Sequence, residues 1–459
     1  MGVKIQDEEI LKIYEKGGAK VNYKEQKVYL DSDIINNSLK TTPSGFSVWS
    51  QDLAVEARLE GDNIHYAAGS LPVNLLDPNT EIIREPTIKD LVDINHLIET
   101  LEHIDFQTAP ILPNASIPAP IQDVFRFFIN MTHSNKPYFG GALSVDGMRL
   151  QIEMLKIMRG GSKALRKKPR VIFAANPSAP LSWGPVIAHN LVDAAKASIP
   201  IMLIPMPLPG GTVPITLASV LTEHTAENLS GLVLAQIVNP GTPVLYGGGA
   251  LVIDMTSGMS CIGAVESHML GSGYARIGKH LNLPTASNIG QSDSQRVDTQ
   301  AGLETGMGML TAAFTGINLS RGAGMLNFAN CQSFEKLVID NNICGMAKRM
   351  VKGIEVTSET IAIDEILRIN HSGQGHLVTP YTHKHFKKEL FFPSPAINRK
   401  AGTPGVKTPT SFERAAQEVK TLLARDFENP LPKETVDELY QLVDAYAKSK
   451  NVDQLPTIG

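Results

Sequence analysis

The sequence predicts an α/β protein: a (β/α)8 barrel of the TIM type with an N-terminal α+β elaboration and a C-terminal helical extension. Three observations carry this. Seven short apolar runs bounded by turn residues, at 104–108, 137–140, 170–175, 199–206, 243–246, 284–288 and 316–319, alternate with helical patterns such as 145–158, 185–197 and 299–313. In IPIMLIPMPLPGG and PVLYGGGA the run empties at its C-terminal end into a Pro/Gly-rich loop, and helical segments at 215–221 and 226–238 lie between the two. Strand, helical crossover and strand is the unit of a parallel sheet. Finally, seven repeats exceed what a doubly wound sheet needs, and no GxGxxG turn announces one. The eighth strand has two candidate places, 375–378 or an N-terminal hairpin.

Taken in order, the chain divides into an elaboration at 1–95, the barrel at 96–397, and a linker with helices at 398–459. A first helix is expected over 7–16, where Ile10, Ile13 and Tyr14 recur at helical spacing. The hairpin candidate has arms at 53–59 and 64–68 around the turn residues Glu60, Gly61, Asp62 and Asn63. Beyond the barrel, Gly402, Pro404, Gly405 and Pro409 mark a linker, and Thr410 with Glu413 is spaced as a capping box. The stripes Phe412, Ala415, Val419, Leu422 and Val436, Leu439, Val443, Tyr446 make two amphipathic helices. They either pack back on the barrel, the plainer reading, or meet a partner.

Composition excludes several classes. With 42 basic and 46 acidic residues the net charge is -4, which gives no footprint for nucleic acid or an anionic membrane. No apolar run approaches the roughly 18 residues that span a bilayer. The start, MGVKIQDEEI, lacks the apolar region of a secretion signal. Cys261, Cys331 and Cys344 share no short spacing, which fits a reducing compartment, and a cytoplasmic location is expected.

A barrel keeps its chemistry in the loops after the strands. Here those loops are mostly uncharged: NPSAPLSW, MPLPGG, YGGG and NLSRGAG. Such a mouth suits a cation without hydrogen-bond donors better than a phosphate or a sugar. Trp183 and Tyr246 either form part of an aromatic cage for a quaternary ammonium or seal the top of the core. Glu266, in GAVESHML beside His268, either balances a cationic ligand or complements its own helix end. Asp298 reads as a helix cap. Gly247, Gly248 and Gly249 present backbone amides to an anion or make a close backbone approach. His376, His383 and His385, with His371 upstream, raise a metal question, but no HExxH helix or cysteine pair accompanies them. Lys196 and Lys279 lie outside the expected strands, where a Schiff-base lysine would need to be.

Five segments together, NPSAPLSW, IPMPLPGGTVPITLA, NLSGLVLAQIVNPGTPVLYG, LPTASNIGQSDSQRVDTQAGLE and GINLSRGAGMLNFANCQSFEKLVIDN, resemble the trimethylamine methyltransferase family of corrinoid-dependent methyltransferases. The resemblance extends to GGAKVNYKEQKVYL and RLEGDNIHYAAG near the N-terminus and so covers nearly the whole chain. It implies a barrel that passes a methyl group from an amine to the Co(I) of a separate corrinoid protein docked over the mouth. The corrinoid (cobalamin) would be carried by that partner, with none bound directly. The archaeal trimethylamine enzymes carry pyrrolysine in the mouth, and this sequence has only ordinary residues. That departure is similar to the non-pyrrolysine branch, which demethylates quaternary amines such as glycine betaine, proline betaine and carnitine. The chemistry agrees, because a quaternary ammonium leaves as a neutral amine and needs neither acid nor metal. A betaine carboxylate would need donors, and Arg321 and the histidines near Thr382, His383 first, are the candidates. The expected assembly is a homo-oligomer. Two other readings stay open: a barrel that binds quaternary amines without transferring methyl, and an unrelated lyase or aldolase using Lys279 or the histidines.

Overall fold

The structure, a computed structural model, describes residues 2–369, 372–373 and 375–458. Eight parallel segments follow one another along the chain: β1 (His65–Ala68), β2 (the bridge residues 106–107), β3 (Tyr138–Gly140), β4 (Val171–Ala175), β5 (Ile201–Leu203), β6 (Val244–Tyr246), β7 (Ala286–Ser287) and β8 (Leu319–Ala323). Each pairs with the next, through single bridges at Ala67–Phe106, Gln107–Tyr138 and Tyr246–Thr285 and through ladders elsewhere. β8 pairs with β1, placing Leu319 opposite His65 and Ser320 opposite Tyr66. A helix follows each segment: α1 (Ile88–Thr100), α2 (Gln122–Thr132), α3 (Val145–Arg159), α4 (Pro185–Lys196), α5 (Leu217–Val238), α6 (Val265–His280), α7 (Thr299–Phe314) and α8 (Phe334–Val351). The architecture is α/β and TIM-barrel-like.

The missing strand comes from the N-terminal region, though not as a hairpin. Glu56–Leu59 pairs antiparallel with Phe46–Trp49, while β1 turns away to lie parallel to β8. The parallel sheet therefore begins inside the segment 1–95. The other candidate, 375–378, contains a short 3-10 turn at His376–Val378 instead. The expected helices at 215–221 and 226–238 are one, α5, because the intervening Thr222, Glu223, His224 and Thr225 contain no breaker. α5 is buried on several sides, with the sheet on one and the helices Glu8–Lys16 and Ser32–Thr41 on another, which explains its lack of a polar face.

Alternation along the strands decides what faces inward. Ala67, Phe106, Phe139, Ile172, Met202, Leu245, Ala286 and Leu319, one from each segment, pack together as a single inner cluster. Val48, Ala57 and Leu59 of the antiparallel hairpin join it, and Trp49 N–H bonds Pro169 just before β4. The hairpin thus closes the N-terminal end of the sheet, and access is left to the C-terminal end. Both C-terminal helices pack back: Ser411–Leu423 against α8 and α1, and Lys433–Ser449 against α2 and α3. Thr410 and Glu413 form the expected capping box.

Candidate active site

Among the described residues, Arg321 is the one charged side chain that the alternation turns to the inner face at the C-terminal ends of the strands. Leu319 faces in and Ser320 faces out, where its hydroxyl donates to Ile289 O at 2.8 Å. Arg321 then faces in, with its guanidinium carbon 5.0 Å from the centroid of Phe139 on β3. The register of β8 slips between Arg321 and Ala323, so Gly322 is a bulge residue with φ 152°. A Cβ there would lie 2.3 Å from Cγ of Gln291, so only glycine lets Gln291 close over the strand. Gln291 in turn donates to Arg321 O at 3.4 Å, and its own Oε1 is buried without a partner.

No hydrogen bond or ion pair of the guanidinium is formed among the described residues, and its Nε is buried. Burial pulls its pKa down to about 10, which leaves it charged at neutral pH. Three carboxylates near this end of the sheet are engaged with other groups. Asp293 accepts from the Ile262 and Gly263 amides, Glu304 from Ser292 Oγ and the Asp293 amide, and Asp340 from the Gly324 amide and Lys336. Asp298 caps α7 through the Ala301 amide. These acids hold loops in place, and an unpaired cation stands among apolar neighbours.

The other residues singled out from the sequence are elsewhere. Trp183 pairs through Ser182–Trp183 with the N-terminal strand Gly2–Ile5. Its ring is fully buried against Gly231 of α5, and Nε1 donates to Ser230 Oγ at 2.9 Å. Tyr246 follows the inward Leu245 and so points outward, between α5 and α6, where its hydroxyl meets Thr225 Oγ1 at 2.9 Å. Both side chains are packed in the core on the outer side of the sheet, away from the inner face. Glu266 is exposed in the first turn of α6, at the edge of a groove of about 460 Å³ with Ile215 and Met255. His268 is buried near Gly308, with neither ring nitrogen bonded and its pKa lowered by desolvation. His383 lies on the helix Pro380–Glu389, so His383 and His385 cannot share a face as they would on a strand. That helix packs by Glu389 on Arg349, in the last turn of α8, which is the opposite end of the sheet from Arg321. His371 lies outside the described residues. Lys279 bonds Gly61 O and Asn318 at that far end too, and Lys196 ends α4 there. Phe139 and Gln291 were not anticipated, since composition and spacing do not reveal which alternate residue of a short strand faces in.

The triple glycine is a close approach rather than an anion cradle. Cβ atoms at Gly247, Gly248 and Gly249 would lie 2.6 Å from Leu203 O, 2.1 Å from His224 Nε2 and 2.5 Å from Met206 Cγ. Gly247 O accepts from His224 Nε2 at 2.9 Å and Asn228 Nδ2 at 3.0 Å.

A family profile described as Trimethylamine methyltransferase (MTTB) matches residues 1–451. The chain belongs to this family. Among its relatives, a trimethylamine methyltransferase MttB of Desulfitobacterium hafniense (strain DSM 10664 / DCB-2) is 28% identical over 449 residues, covering 96% of this chain and 89% of the relative. A glycine betaine methyltransferase of Desulfitobacterium hafniense (strain Y51) is 28% identical over 397 residues, covering 86% and 82%. Among solved structures, the monomethylamine methyltransferase MtmB of Methanosarcina barkeri superposes with a TM-score of 0.53 at 13% identity, over 98% of this chain and 88% of that one, a likeness of fold. Membership makes the chain a methyltransferase-type enzyme, and none of its helices, among the described residues, is long and apolar enough to cross a membrane.

Two predictions arise from the outward placements. Tyr246→Phe removes the hydroxyl's contacts with Thr225 Oγ1 and, at 3.4 Å, His224 Nδ1, and nothing on the inner face. It should cost about 1 kcal/mol of stability and leave the KM for the methyl donor unchanged, as measured by denaturant unfolding and initial rates. A cage role would instead raise KM at least tenfold. The second concerns His224, whose pKa burial pulls down to about 3 against about 6.5 in an unfolded chain. The unfolded state binds the extra proton between these values, so stability is complete above about 6.5 and falls with pH towards 3, by at most ~1.4 kcal/mol per pH unit. Glu227, raised by burial to about 7, has the opposite slope between its unfolded value and 7. The difference in unfolding free energy between wild type and His224→Gln, followed from pH 7 to 4, should therefore narrow as pH falls. A difference independent of pH would rule out this linkage.

Proposed function

We propose that this protein moves a methyl group from a betaine-type quaternary amine, glycine betaine first, to a corrinoid carried by a separate cognate protein, with Arg321 holding the substrate carboxylate. The observation that carries the reading is the unpaired, half-buried guanidinium over Phe139 on the inner face, whose Nε is fully buried. A partly desolvated cation without a protein counter-charge carries some of the cost of burial, and a carboxylate bound bidentately satisfies it. With that end held at Arg321, the ammonium end of a short zwitterion lies towards the open C-terminal end. The methyl–nitrogen bond breaks with its electron pair on nitrogen, so a neutral tertiary amine leaves and no side chain must deliver a proton. What the protein contributes is orientation and exclusion of water. The corrinoid supplies the nucleophile from the partner, and no residue of this chain is assigned to hold it. The pairing circuit from β1 through β8 is read as a closed (β/α)8 barrel, with 1–95 and 398–459 as its additions, working in the cytoplasm.

Family membership and a relative named for glycine betaine support the substrate class. The aldolase reading loses its support, since Lys196 and Lys279 stand at the wrong end of the sheet. The test is to incubate the protein and a reduced corrinoid partner with glycine betaine, proline betaine or carnitine, and to quantify the demethylated amine. Product that depends on both proteins is expected. Binding of these compounds without demethylation by any tested corrinoid partner would favour a binding protein and overturn the enzyme reading.

A further inference from the structure

Two glutamine amides bracket the end of β8 that carries Arg321. On the β7 side, Gln291 donates from Nε2 to Arg321 O at 3.4 Å. On the β1 side, Gln332, on the short strand Cys331–Gln332, donates from Nε2 to Ala323 O at 3.2 Å. Both side chains are buried, 6% and 0% exposed, and the Oε1 of each accepts no hydrogen bond among the described residues. An amide whose NH2 is committed to a carbonyl turns its oxygen away from it. Glycines make room for both: a Cβ at Gly322 would lie 2.3 Å from Gln291 Cγ, and one at Gly324 would lie 2.7 Å from Gln332 Nε2. At Gly69, just past β1, a Cβ would lie 3.1 Å from Gln332 Oε1. Gly69 N–H still pairs with Ala323 O, so the alternation continues from the inward Ala67 and puts that position on the inner face. Gln332 Oε1 thus stands at the inner face, beside the strand of Arg321.

We infer that Gln291 and Gln332 form the ammonium end of the betaine site, two neutral acceptors that select a positively charged trimethyl head. The inference rests on the betaine reading above, since it takes the carboxylate to be held at Arg321. The nitrogen of such a head is enclosed by carbon and offers no N–H, and its charge is spread over the hydrogens of the attached carbons. These polarised C–H groups bind acceptor oxygens, and a fixed carbonyl dipole stabilises the charge behind them. A buried amide oxygen without a donor is costly, and the ligand relieves that cost. A carboxylate in the same place would pair with Arg321 and close the anion end of the site. An amide oxygen offers negative potential without that competition. Glu335, three residues beyond Gln332, accepts from Ser333 Oγ at 2.9 Å, and burial pushes its carboxyl up towards the neutral form. The two dipoles act only once a carboxylate has neutralised the guanidinium, so the zwitterion is recognised as a whole and not by its head alone.

The experiment measures, by calorimetry on the full chain in chloride at constant ionic strength, the dissociation constants of glycine betaine and of tert-butylacetate. The second compound keeps the carboxylate and the shape but has carbon in place of nitrogen. Wild type should bind glycine betaine roughly 25-fold more tightly, and Gln291→Met or Gln332→Met should each cut that ratio about fivefold, the scale of one C–H···O contact. The ratio cancels any change at the carboxylate end, so a merely structural loss does not move it, and bound tert-butylacetate shows that a variant is folded. Gln332→Glu also lacks the bond to Ala323 O but keeps an acceptor oxygen, and should retain the preference for betaine. Equal binding of the two compounds by wild type, or a ratio unchanged in both methionine variants, overturns the inference while leaving Arg321 as the carboxylate site. A glutamate variant that behaves like methionine overturns it too, since the effect then belongs to the lost bond. Binding of neither compound overturns the betaine reading and the inference with it.

Discussion

Replacing Arg321 with methionine is expected to lower kcat/KM for glycine betaine by roughly 30- to 5,000-fold, the equivalent of the 2–5 kcal/mol that a buried charge pair loses when one partner is truncated. Most of the change should appear in KM, because the carboxylate contact exists in the ground state as well as in the transition state. The same substitution should leave stability nearly unchanged, since it removes a half-buried charge that no protein group pairs with. Function lost while stability is kept separates a ligand-binding role from a structural one. Arg321→Lys should recover only part of the rate: the ammonium keeps the charge but not the planar fork or its stacking on Phe139. Steady-state kinetics with a denaturant titration of each variant check all three points. A methionine variant with wild-type KM would remove Arg321 from the substrate site.

The second large effect is expected at Lys336. Its ammonium is buried, bonding Asp340 Oδ2 at 2.6 Å and Thr305 Oγ1 at 2.7 Å, and the same Asp340 oxygen accepts the Gly324 amide at 2.7 Å. Burial pushes the Asp340 carboxyl up, and Lys336 opposes this. Lys336→Met leaves a buried carboxylate without its cation and should cost ~3–5 kcal/mol, seen as a lower denaturant midpoint. Because Gly324 lies three residues beyond Arg321, the variant should also lose activity at temperatures where it remains folded. Replacing both partners, Lys336→Met with Asp340→Leu, should restore most of the stability, because two apolar groups need no compensation. A single variant within 0.5 kcal/mol of wild type would show that the pair does not hold this loop.

The strands that the sequence revealed are those whose composition is itself the signal. VIFAA, IML and VLY are buried on both faces and flanked by turn residues, so they read as strands without any knowledge of their partners. β1 was harder. HYAA follows a turn-rich EGDN and an extended arm, which locally describes a hairpin, and its true partner lies some 250 residues away in β8. Nothing local encodes that pairing. Facing direction was harder still. Tyr246 was correctly placed at the end of a strand, yet a shift of one residue separates the inner face from the outer, and only the packing of Leu245 with the seven other inner residues fixes it. Trp183 looked like a mouth residue because its loop follows a strand, but the N-terminal strand Gly2–Ile5 captures it, a tertiary contact across some 180 residues. Arg321 was legible because a lone basic residue in an uncharged loop stands out. That it lies within β8, on a bulge that turns it inward, was not.

The solitary guanidinium has a consequence for the protein at rest. An unpaired guanidinium beside Phe139 attracts whatever small anion the solution offers, and electroneutrality favours pairing it before substrate arrives. Acetate and bicarbonate, which match the planar fork, should therefore compete with a betaine and raise its apparent KM at constant ionic strength with kcat unchanged. Tetramethylammonium, which carries the reactive end of the substrate without a negative one, should fail to compete, repelled by the same charge. The selectivity of the site is then set by the counter-ion it lacks, and buffer composition becomes a variable in every rate measured on it.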